Sequence, residues 1–505
     1  MSFDLLNILL FLPLLGAAVV FVGGTLNKQP AFVKGLALAV SLLPLAVNLY
    51  MLTLYDWQLA SGNYQFFGSV DWISSLGITY TVGLDGLSMP LVFLTSLLTP
   101  LVVLLSYDEH KDLRTFFTLL LLLECGLIGV FAALDFFLFY LFWELVLIPM
   151  YFLILGWGGP RRRYAAIKFF VYTHVASLVM LVGIFAIVLY NFQQNGNFTF
   201  NFVAISEMLQ SGGVSLPLNL QYLIFPALFF GFAVKIPTVP FHTWLPDAHV
   251  EAPTGGSVFL AAVMLKMGGY GLVRFAFGLM PEAAVHYALP MAVLGIISML
   301  WGALLALAQD DLKKMIAYSS VSHMGLLLFG LAMLQERAFN GAVLQMFAHG
   351  LISAMLFMVC GILQHSVGTR RIGDLGGVAS VLPRLSAVTV FTFFASVGLP
   401  GLLGFIPELQ VFLGAFSVNK LLTVVAMLSM IVTAAYYLWA LERAYFGQPS
   451  TDLQEKKPHD LQWFQTVPLV VLGVLVLALG VWPAPITDMV AQGTGYIIDL
   501  LGGVR

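Results

Sequence analysis

Four ionisable residues of this chain lie inside long apolar stretches. Glu144 lies in FWELVLIPM and Lys235 in FAVKIPTVPF, while Lys266 lies in AVMLKMGGYG and Glu408 in GFIPELQVF. At the centre of a bilayer such a side chain costs several kcal/mol, and it persists where it has a partner or a wet cavity. Carboxylates and amines in that position can take up and release protons. The four residues therefore predict proton transfer within a membrane.

Two histidines add to this set. His323 lies in SSVSHMGLLL and His349 in QMFAHGLISAML, and both follow Lys266 and precede Glu408 in chain order. Histidine titrates near neutral pH and can relay protons. Each histidine taken singly could instead be a hydrogen-bonded core residue. Together they are predicted to link Lys266 to Glu408.

The other buried polar residues have plainer interpretations. Lys235 could snorkel to the headgroups if it lies within a turn or two of a helix end. A static ion pair of Glu144 with Lys235 is a second alternative, and Glu408 could cap a re-entrant segment. His174 is predicted to pack in the core. Glu124, which apolar residues flank, could pair with a neighbour.

The stretch HTWLPDAHVEAPTGGS contains three further candidates, His242, Asp247 and His249. Their spacing matches no zinc pattern with a fourth ligand nearby. A turn in which Asp247 and Thr254 cap helices is the preferred interpretation. No metal is predicted, and the three residues stay as secondary candidates for proton translocation.

The composition indicates that a bilayer surrounds most of this chain. Of its 505 residues, 60% are hydrophobic and only 9% are charged, and the mean hydropathy is +0.95. A soluble chain is usually about one-quarter charged. We expect one membrane domain and no appended soluble domain. Cys125 and Cys360 both lie in apolar runs, which argues against iron–sulfur, zinc or disulfide chemistry.

A search for apolar stretches of roughly 20 residues predicts an all-α polytopic fold with about fourteen transmembrane helices. The first is interpreted as a retained span, because Asp4 stands where a cleaved signal would have a basic residue. The polar stretch 55–85 predicts a small extracytoplasmic hairpin. The predicted units are 1–84 (spans 1 and 2 with the hairpin), 85–446 (the translocating core) and 447–505 (a loop and span 14). The predicted span centres are Leu14, Leu42, Leu97, Leu122, Leu145, Leu178, Phe230, Leu265, Gly295, Gly325, Ala354, Phe405, Ala434 and Val474.

Sixteen of the twenty basic residues in the predicted loops fall on one side of the membrane. That side is cytoplasmic by the positive-inside rule, so both termini are predicted to be extracytoplasmic. Only Lys235 and Lys266 are assigned to no loop. The cytoplasmic set is Lys28, Lys34, Lys111, Arg114, Arg161, Arg162, Arg163, Lys168, Lys313, Lys314, Arg370, Arg371, Arg384, Arg443, Lys456 and Lys457, and the opposite set is Arg274, Arg337, Lys420 and Arg505.

Prolines interrupt two predicted spans, and each interruption adjoins an ionisable residue. Pro237 and Pro240 follow Lys235 in span 7, and GLPGLLGFIP precedes Glu408 in span 12. Irregular backbone at membrane depth is tolerated against protein or a water-filled cavity. Matching interruptions indicate a transporter built from repeats. Because these spans are five apart, spans 4–8 and 9–13 are predicted to form two inverted repeats, each with one half-channel.

Several of these motifs resemble a known family. FWELVLIPMYFLI, FAVKIPTVPFHTWLPDAHVEAPTGGSV, MLKMGGYGLVRF, KKMIAYSSVSHMG and LQMFAHGLISAMLF are similar to the antiporter-like, proton-pumping subunits of complex I (NADH-quinone oxidoreductase), which are related to multisubunit cation/proton antiporters. The resemblance extends from about Asp85 to Phe446. It implies that Glu144 pairs with Lys235, that Lys266 is the central relay, that His323 and His349 follow it, and that Glu408 is the outlet.

Within that family, Glu408 resembles the M type. The L and N types usually have Lys at this position of span 12, and the L type has a long lateral helix after span 14 that this chain is not expected to contain. The resemblance implies that quinone reduction in other subunits separates Glu144 from Lys235. The lysine then loses proton affinity and passes its proton to Lys266, through the histidines, and outward by way of Glu408.

The resemblance also implies partners and a location. These are the L-, N- and K-type membrane-arm subunits, the lipid bilayer and protons, without nucleic acid, in the cell inner (plasma) membrane. NADH, FMN, iron–sulfur and quinone sites are expected on other subunits. No glycine-rich phosphate loop follows a predicted strand. The chain is therefore predicted to be a non-redox subunit of a translocating oxidoreductase, without a cofactor of its own.

Three other functions remain open from the sequence. One is a subunit of a multisubunit cation/proton antiporter that works without electron transfer. Another is a subunit of a related hydrogenase, ferredoxin-linked or deazaflavin-linked proton-pumping complex. The last is a structural scaffold whose buried charges are static.

Overall fold

A computed structural model of the chain describes residues 2–210, 216–449, 453 and 458–504. Lys456, Lys457 and Arg505, which contributed to the predicted orientation, lie outside this part. The described chain is almost entirely helical, with one two-stranded sheet.

The first helices form an antiparallel pair that a β-hairpin follows. The elements are α1 (Ser2–Leu26), α2 (Pro30–Thr53), β1 (Gln65–Ile73), β2 (Ile78–Leu84) and α3 (Met89–Leu105). The strands pair antiparallel, which confirms the predicted hairpin. Gly77 makes the turn at φ +60°. A Cβ there would lie 1.8 Å from the Phe198 carbonyl oxygen, so only glycine fits.

The next group contains one apolar run that forms two helices. The elements are α4 (Leu113–Ala132), α5 (Phe136–Leu145), α6 (Leu147–Trp157), α7 (Arg162–Asn195) and α8 (Phe202–Gln210). Asp135 caps α5 by accepting hydrogen bonds from the Phe137 and Leu138 amides at 2.9 and 3.1 Å. Pro149 in the first turn of α6 clashes with the carbonyl four residues earlier, so α5 ends at Leu145.

The middle of the chain contains the first interruption. Helix α9 (Leu218–Lys235) is followed by α10 (Trp244–Glu251), and then by one membrane-length segment, Thr254–Phe277. That segment consists of α11 (Thr254–Phe259), α12 (Leu265–Gly271) and two π-helical turns, Leu260–Met264 and Leu272–Phe277. It is completely enclosed by the rest of the chain.

The second interruption separates two later helices. Between α18 (Pro383–Val397) and α19 (Phe405–Val418) the chain passes through GLPGLLG. Pro407 is the third residue of α19, where a missing amide hydrogen breaks no helical bond, so it is accommodated. The remaining elements are α13 (Pro281–His286), α14 (Ala288–Leu307), α15 (Leu312–Ala332), α16 (Glu336–Val367), α17 (Val378–Val381), α18 (Pro383–Val397), α19 (Phe405–Val418), α20 (Lys420–Tyr445), α21 (Trp463–Val481) and α22 (Ala484–Val504).

The described helices confirm an all-α polytopic membrane protein. Thirteen segments are long and apolar enough to span a bilayer. The short apolar helices α18 and α19 together supply the interrupted twelfth span, so each predicted centre has its helix or break. The inverted repeats stay a prediction. Helix α22 was not predicted, and it packs against α16 and the chain before the hairpin, where the Tyr496 amide donates to the Ser61 hydroxyl at 2.6 Å.

The two ends of the bundle differ. We call the end with β1 and β2 the hairpin face, and the opposite end, with α10, the connector face. The predicted placement of Arg274 in a loop is wrong. This residue lies in the π-helical turn Leu272–Phe277, is 5% exposed, and its guanidinium Nη2 is 2.6 Å from Asp85 Oδ1. An arginine can lie so deep because the carboxylate compensates its charge.

Candidate functional site

Lys235 is the last residue of α9, and the proline-rich break follows it directly. Its side chain is 1% exposed, so it does not snorkel to the surface of the chain. Within the described residues its Nζ has no hydrogen-bond partner. The Nζ instead lies 5.6 Å from the centre of the Trp143 ring and 5.5 Å from that of Phe169. Aromatic faces attract a cation, but they accept no proton from it.

Glu144 faces a different neighbour from the one that the sequence indicated. Its Oε2 lies 2.8 Å from His174 Nδ1, and its Oε1 accepts a hydrogen bond from the Ser177 hydroxyl. No ion pair joins Glu144 to Lys235 in the described part of the chain. The predicted pairing, whether functional or static, is therefore not formed here. Trp143, the residue before Glu144, lies beside the lysine instead.

His174 was predicted to pack in the core, and this prediction is wrong. It is the direct partner of Glu144, and its side chain is 38% exposed on the outer surface of the bundle. Its ring also stacks on Phe170 at 5.4 Å between centroids. The spacing of His174 and Ser177, two polar residues one turn apart in an apolar helix, is the sequence signal that could have found it.

Lys266 lies in α12 at the centre of the enclosed segment and is fully buried. Its Nζ donates to the Ala261 carbonyl oxygen, which belongs to the adjacent π-helical turn. The same Nζ is 2.7 Å from Nδ1 of His349. Either atom can hold the proton of that hydrogen bond, depending on the charge of the lysine and the tautomer of the histidine. The geometry is suited to proton transfer between them.

His349 leads to a second histidine. The rings of His349 and His323 have centroids 5.4 Å apart. His323 Nδ1 is 2.8 Å from the Ser319 carbonyl oxygen, and its Nε2 is 3.1 Å from that of Ser396. A neutral imidazole has one N–H and can donate to one of these oxygens, whereas the imidazolium donates to both.

Glu408 lies beyond His323, in the first turn of α19. Its Oε1 is 3.9 Å from His323 Nε2, and it is 6% exposed. Its Oε2 has no hydrogen-bond partner within the described ranges. A cavity of about 20 Å³ adjoins both residues and is lined also by Ser322, Ser429 and Thr433. That volume holds one water molecule, and the hydroxyls could orient it.

The secondary candidates do not converge on one site. Asp247 accepts a hydrogen bond from Lys168 at 2.7 Å. The prediction that Asp247 and Thr254 cap helices is wrong, because Thr243 and Pro253 occupy the cap positions of α10 and α11. An ionised Asp247 next to a lysine gains more from that ion pair than from a cap.

The two histidines of this stretch have different surroundings, and only His249 of the two interacts electrostatically with both Lys266 and His349 among the described residues. His249 is fully buried and stacks on Phe357 with centroids 4.4 Å apart. His242 is 6% exposed and lies 6.4 Å from the Tyr318 ring. Glu124 is fully buried near Thr99, but its carboxylate oxygens make no hydrogen bond with the described residues. The predicted pairing of Glu124 is not observed.

Hydrogen bonds of charged side chains, which sequence reasoning missed, fix the connector helix α10 between α9 and α11. On one side, Glu251 Oε2 accepts from the Arg161 amide at 2.8 Å. On the other side, the Lys313 ammonium donates to the Ala252 carbonyl oxygen at 2.6 Å, and Arg370 donates to that of Val250 at 3.1 Å. These residues come from distant parts of the sequence, and no local pattern indicated them. They fix the helix that joins Lys235 to Lys266.

The fold and the site together define a class of protein. It is a polytopic membrane protein with two interrupted spans, in which titratable groups extend through the interior from Lys266 to Glu408. Such an interior suits a proton translocator. Similarity to known proteins assigns the chain to one family within this class.

The chain belongs to the NADH:quinone oxidoreductase/Mrp antiporter transmembrane family, whose pattern matches residues 133–433. Residues 28–130 match the amino-terminal region of NADH-ubiquinone oxidoreductase chain 4. The first match includes every residue that the sequence predicted for the site except Glu124, which lies in the second.

Individual relatives agree with this assignment. The chain is 42% identical over 501 residues to the F(420)H(2) dehydrogenase subunit M of Methanosarcina mazei, with 99% of each chain covered. It is 40% identical to the NADH-quinone oxidoreductase subunit M of Pseudomonas aeruginosa, with 95% of this chain and 96% of the relative covered. A chain of the respiratory complex I of Thermus thermophilus superposes with a TM-score of 0.87 at 29% identity, with both chains covered completely.

Proposed function

We propose that this chain is the M-type proton-translocating subunit of a respiratory complex I (NADH-quinone oxidoreductase), coupling quinone reduction in other subunits to proton pumping. One observation supports the proposal above all others. Lys266, His349, His323 and Glu408 follow one another at 2.7 Å, 5.4 Å between ring centroids, and 3.9 Å. Four titratable groups in that order, each buried, form a path for a proton rather than a set of separate core contacts.

The first step concerns Lys235. With Glu144 bound to His174 and Ser177, the lysine has aromatic rings beside it and no carboxylate. In this arrangement Glu144 attracts the ammonium group only from beyond ion-pair distance, so it stabilises the charge less than a direct ion pair would. If Glu144 left His174 and approached Lys235, the ammonium form would be favoured again. Alternation between the two partners would make Lys235 take up and release protons.

The second step uses the chain of titratable groups. Lys266 would pass a proton to His349 Nδ1 through the 2.7 Å hydrogen bond. His323 would take it from His349 and form an imidazolium that two carbonyl oxygens stabilise. A water in the adjacent cavity, or a small movement of either side chain, would join His323 to Glu408. Glu408 would then release the proton outward.

The wider assembly completes the proposal. L-, N- and K-type subunits would bind the outer helices, in the cell inner (plasma) membrane. The hairpin face would be extracytoplasmic, since the positive-inside rule assigns the basic loops to the cytoplasm. NADH, FMN, iron–sulfur clusters and quinone would bind to other subunits, and this chain would contribute proton transfer without a redox site of its own.

The test replaces Lys235 or Lys266 in the assembled complex and measures proton pumping driven by quinone reduction in liposomes. Lys235→Ala and Lys266→Met are both expected to lower the proton/electron ratio. Lys28→Met removes an exposed lysine from the same chain and serves as the matched control. Normal pumping by both interior variants would defeat the proposal and favour a scaffold with static charges.

A related complex with a deazaflavin donor is the second candidate. The F(420)H(2) dehydrogenase subunit M is 42% identical over 99% of this chain, against 40% for the NADH-quinone oxidoreductase subunit M. A difference this small does not select the electron donor, because the donor binds elsewhere. Purification of the native complex, followed by quinone reduction assays with NADH and with the reduced deazaflavin, would decide between them.

A further inference from the structure

One buried ion pair lies outside the chain of titratable groups. Arg274 and Asp85 are 5% and 6% exposed, and their Nη2 and Oδ1 atoms are 2.6 Å apart. The same Oδ1 accepts hydrogen bonds from the Leu87 and Ser88 amides and from the Ser88 hydroxyl, all at 3.0–3.1 Å. The carboxylate is thus fixed at the start of α3, and it fixes the guanidinium in turn.

The position of this pair relates it to Lys266. Lys266 and Tyr270 are four residues apart in α12 and therefore share one face of the helix. The Tyr270 ring lies 5.4 Å from the Arg274 guanidinium, and its hydroxyl donates to the Phe131 carbonyl oxygen at 3.1 Å. The three side chains thus form a series from the central lysine toward the hairpin face.

An open cavity reaches the pair from the other side. It has a volume of about 240 Å³ at the hairpin face, and its lining includes Ser61, Tyr64, Asp85, Glu207, Arg274 and Tyr496. The polar lining suits water. The Tyr64 ring lies 5.3 Å from the guanidinium. Arg274, Asp85 and Tyr270 therefore separate this cavity from Lys266.

We propose that the Arg274–Asp85 pair is a seal that stops protons from passing between Lys266 and the hairpin face along α12. This inference rests on the proposed function of Lys266. Arginine stays protonated at any relevant pH, so it can neither take up nor pass on a proton. A fixed guanidinium also repels cations in a narrow passage. It neutralises Asp85, the carboxylate that lies in direct contact with it and could otherwise relay protons there.

The contrast with the outlet at Glu408 supports this assignment. The groups from Lys266 through His349 and His323 to Glu408 can each exist in two protonation states. The route along α12 instead ends at a group with only one. Both routes start at the same lysine, so the seal would determine that protons leave by way of Glu408.

The seal predicts unequal effects for the two partners. Arg274→Gln would leave the Asp85 carboxylate beside the cavity without its cation, where it could bind protons and pass them to Tyr270 and Lys266. Asp85→Asn would keep the guanidinium and its barrier. If the ion pair were purely structural, the two substitutions would have similar effects. Loss of either Arg274 or Asp85 would impair assembly of the complex, and neither substitution would let protons through.

The experiment measures passive proton flow through the assembled complex in liposomes, without an electron donor, after an imposed pH gradient. Arg274→Gln is expected to dissipate the gradient several-fold faster than the unmodified complex. Complexes with Arg274→Lys or Asp85→Asn are expected to lose the gradient no faster than the unmodified complex. Arg337→Gln, which removes an exposed arginine at the same face, is the matched control and is also expected to stay tight.

Two further variants make the test decisive. Asp85→Asn/Arg274→Gln removes the whole ion pair without leaving an unpaired charge, so it should assemble even if Arg274→Gln does not. It should also leak, because water from the cavity can then enter the passage that the guanidinium had blocked. Addition of Lys266→Met to a leaking variant should stop the leak. If the single variant Arg274→Gln and the double variant both assemble and neither leaks protons, the seal is overturned. If the single variant fails to assemble, the absence of a leak in the double variant alone overturns it. A leak that persists without Lys266 would overturn the proposed route. Failure of the proposed function would appear separately, as normal pumping by Lys266→Met.

Discussion

The proposed outlet at Glu408 allows the proposed proton path to be tested with little change in structure. Glu408→Gln keeps the size and shape of the side chain but removes its ability to exchange a proton. Oε2 has no hydrogen-bond partner in the part of the chain described, and Oε1 is 3.9 Å from His323, beyond hydrogen-bond distance. The substitution therefore breaks no direct hydrogen bond with the protein. We expect it to change stability by less than about 1 kcal/mol.

The expected effect on proton transfer is much larger. A positioned acid or base contributes roughly 10²- to 10⁴-fold to a proton-transfer rate. At about 1.36 kcal/mol for each factor of ten, this corresponds to roughly 3–5 kcal/mol in the barrier. Proton release through this chain should therefore become slower than electron transfer. Glu408→Asp should recover part of the rate, because it keeps a titratable carboxyl one methylene shorter.

The assay compares proton and electron fluxes in liposomes that contain the assembled complex. Quinone reduction is followed optically and proton uptake by a pH-sensitive dye. The number of protons taken up per electron transferred to quinone is expected to fall with Glu408→Gln. Glu442→Gln, at an exposed position of α20, is the matched control. An unchanged ratio and turnover with Glu408→Gln, in a complex of normal composition, would refute the assignment of Glu408 as outlet.

Three further predictions concern the supports of the site. His174→Phe keeps the ring stack on Phe170 but removes the 2.8 Å contact with Glu144. We expect weaker coupling of pumping to quinone reduction, measured as a lower proton/electron ratio. An unchanged ratio would show that His174 takes no part in coupling. Lys168→Met breaks the 2.7 Å ion pair with Asp247. We expect α10 to open more often, seen as faster exchange of its amide hydrogens, and unchanged exchange would show that Lys168 does not stabilise α10. Gly77→Ala forces a Cβ into a left-handed turn; we expect a loss of about 1–3 kcal/mol in stability, seen as a lower melting temperature, and an unchanged melting temperature would contradict the steric argument.

Each of these variants has a matched control of the same residue type in this chain. His286→Phe replaces a histidine at the hairpin face, away from Glu144. Lys111→Met removes a lysine of the connector face that bonds to the Gly156 carbonyl oxygen rather than to α10. Gly35→Ala adds a methyl group where no atom lies within 4 Å. Each control should leave the corresponding measurement unchanged.

Much of the site was predictable because its determinants are local. Lys266 and Glu408 were recognisable from apolar neighbours on both sides, and the prolines after Lys235 and before Glu408 indicated the two interruptions. The structure brings His323 and His349 between Lys266 and Glu408, as predicted, but in the reverse of their chain order, with His349 next to Lys266 and His323 next to Glu408. Their roles in translocation stay predictions.

The failures share one cause. Glu144 was expected to contact Lys235, His174 to pack in the core, and Arg274 to lie in a loop. Each depends on how one helix is rotated against another. For Arg274, the π-helical turns before and after α12 change that rotation locally, and the apolar sequence around them shows no mark of it.

The sequence by itself determined the number of spans, the breaks and the buried charges. In a bilayer a continuous helix satisfies its own backbone groups, and irregular backbone is tolerated only against protein or water, so hydropathy and proline positions fix these features locally. Only the tertiary structure decided which of the buried polar side chains contact one another. Lys266 meets His349 across 83 residues of chain, and Arg274 meets Asp85 across 189. Such contacts depend on the depth and rotation at which helices pack, and these are set by the whole interior at once.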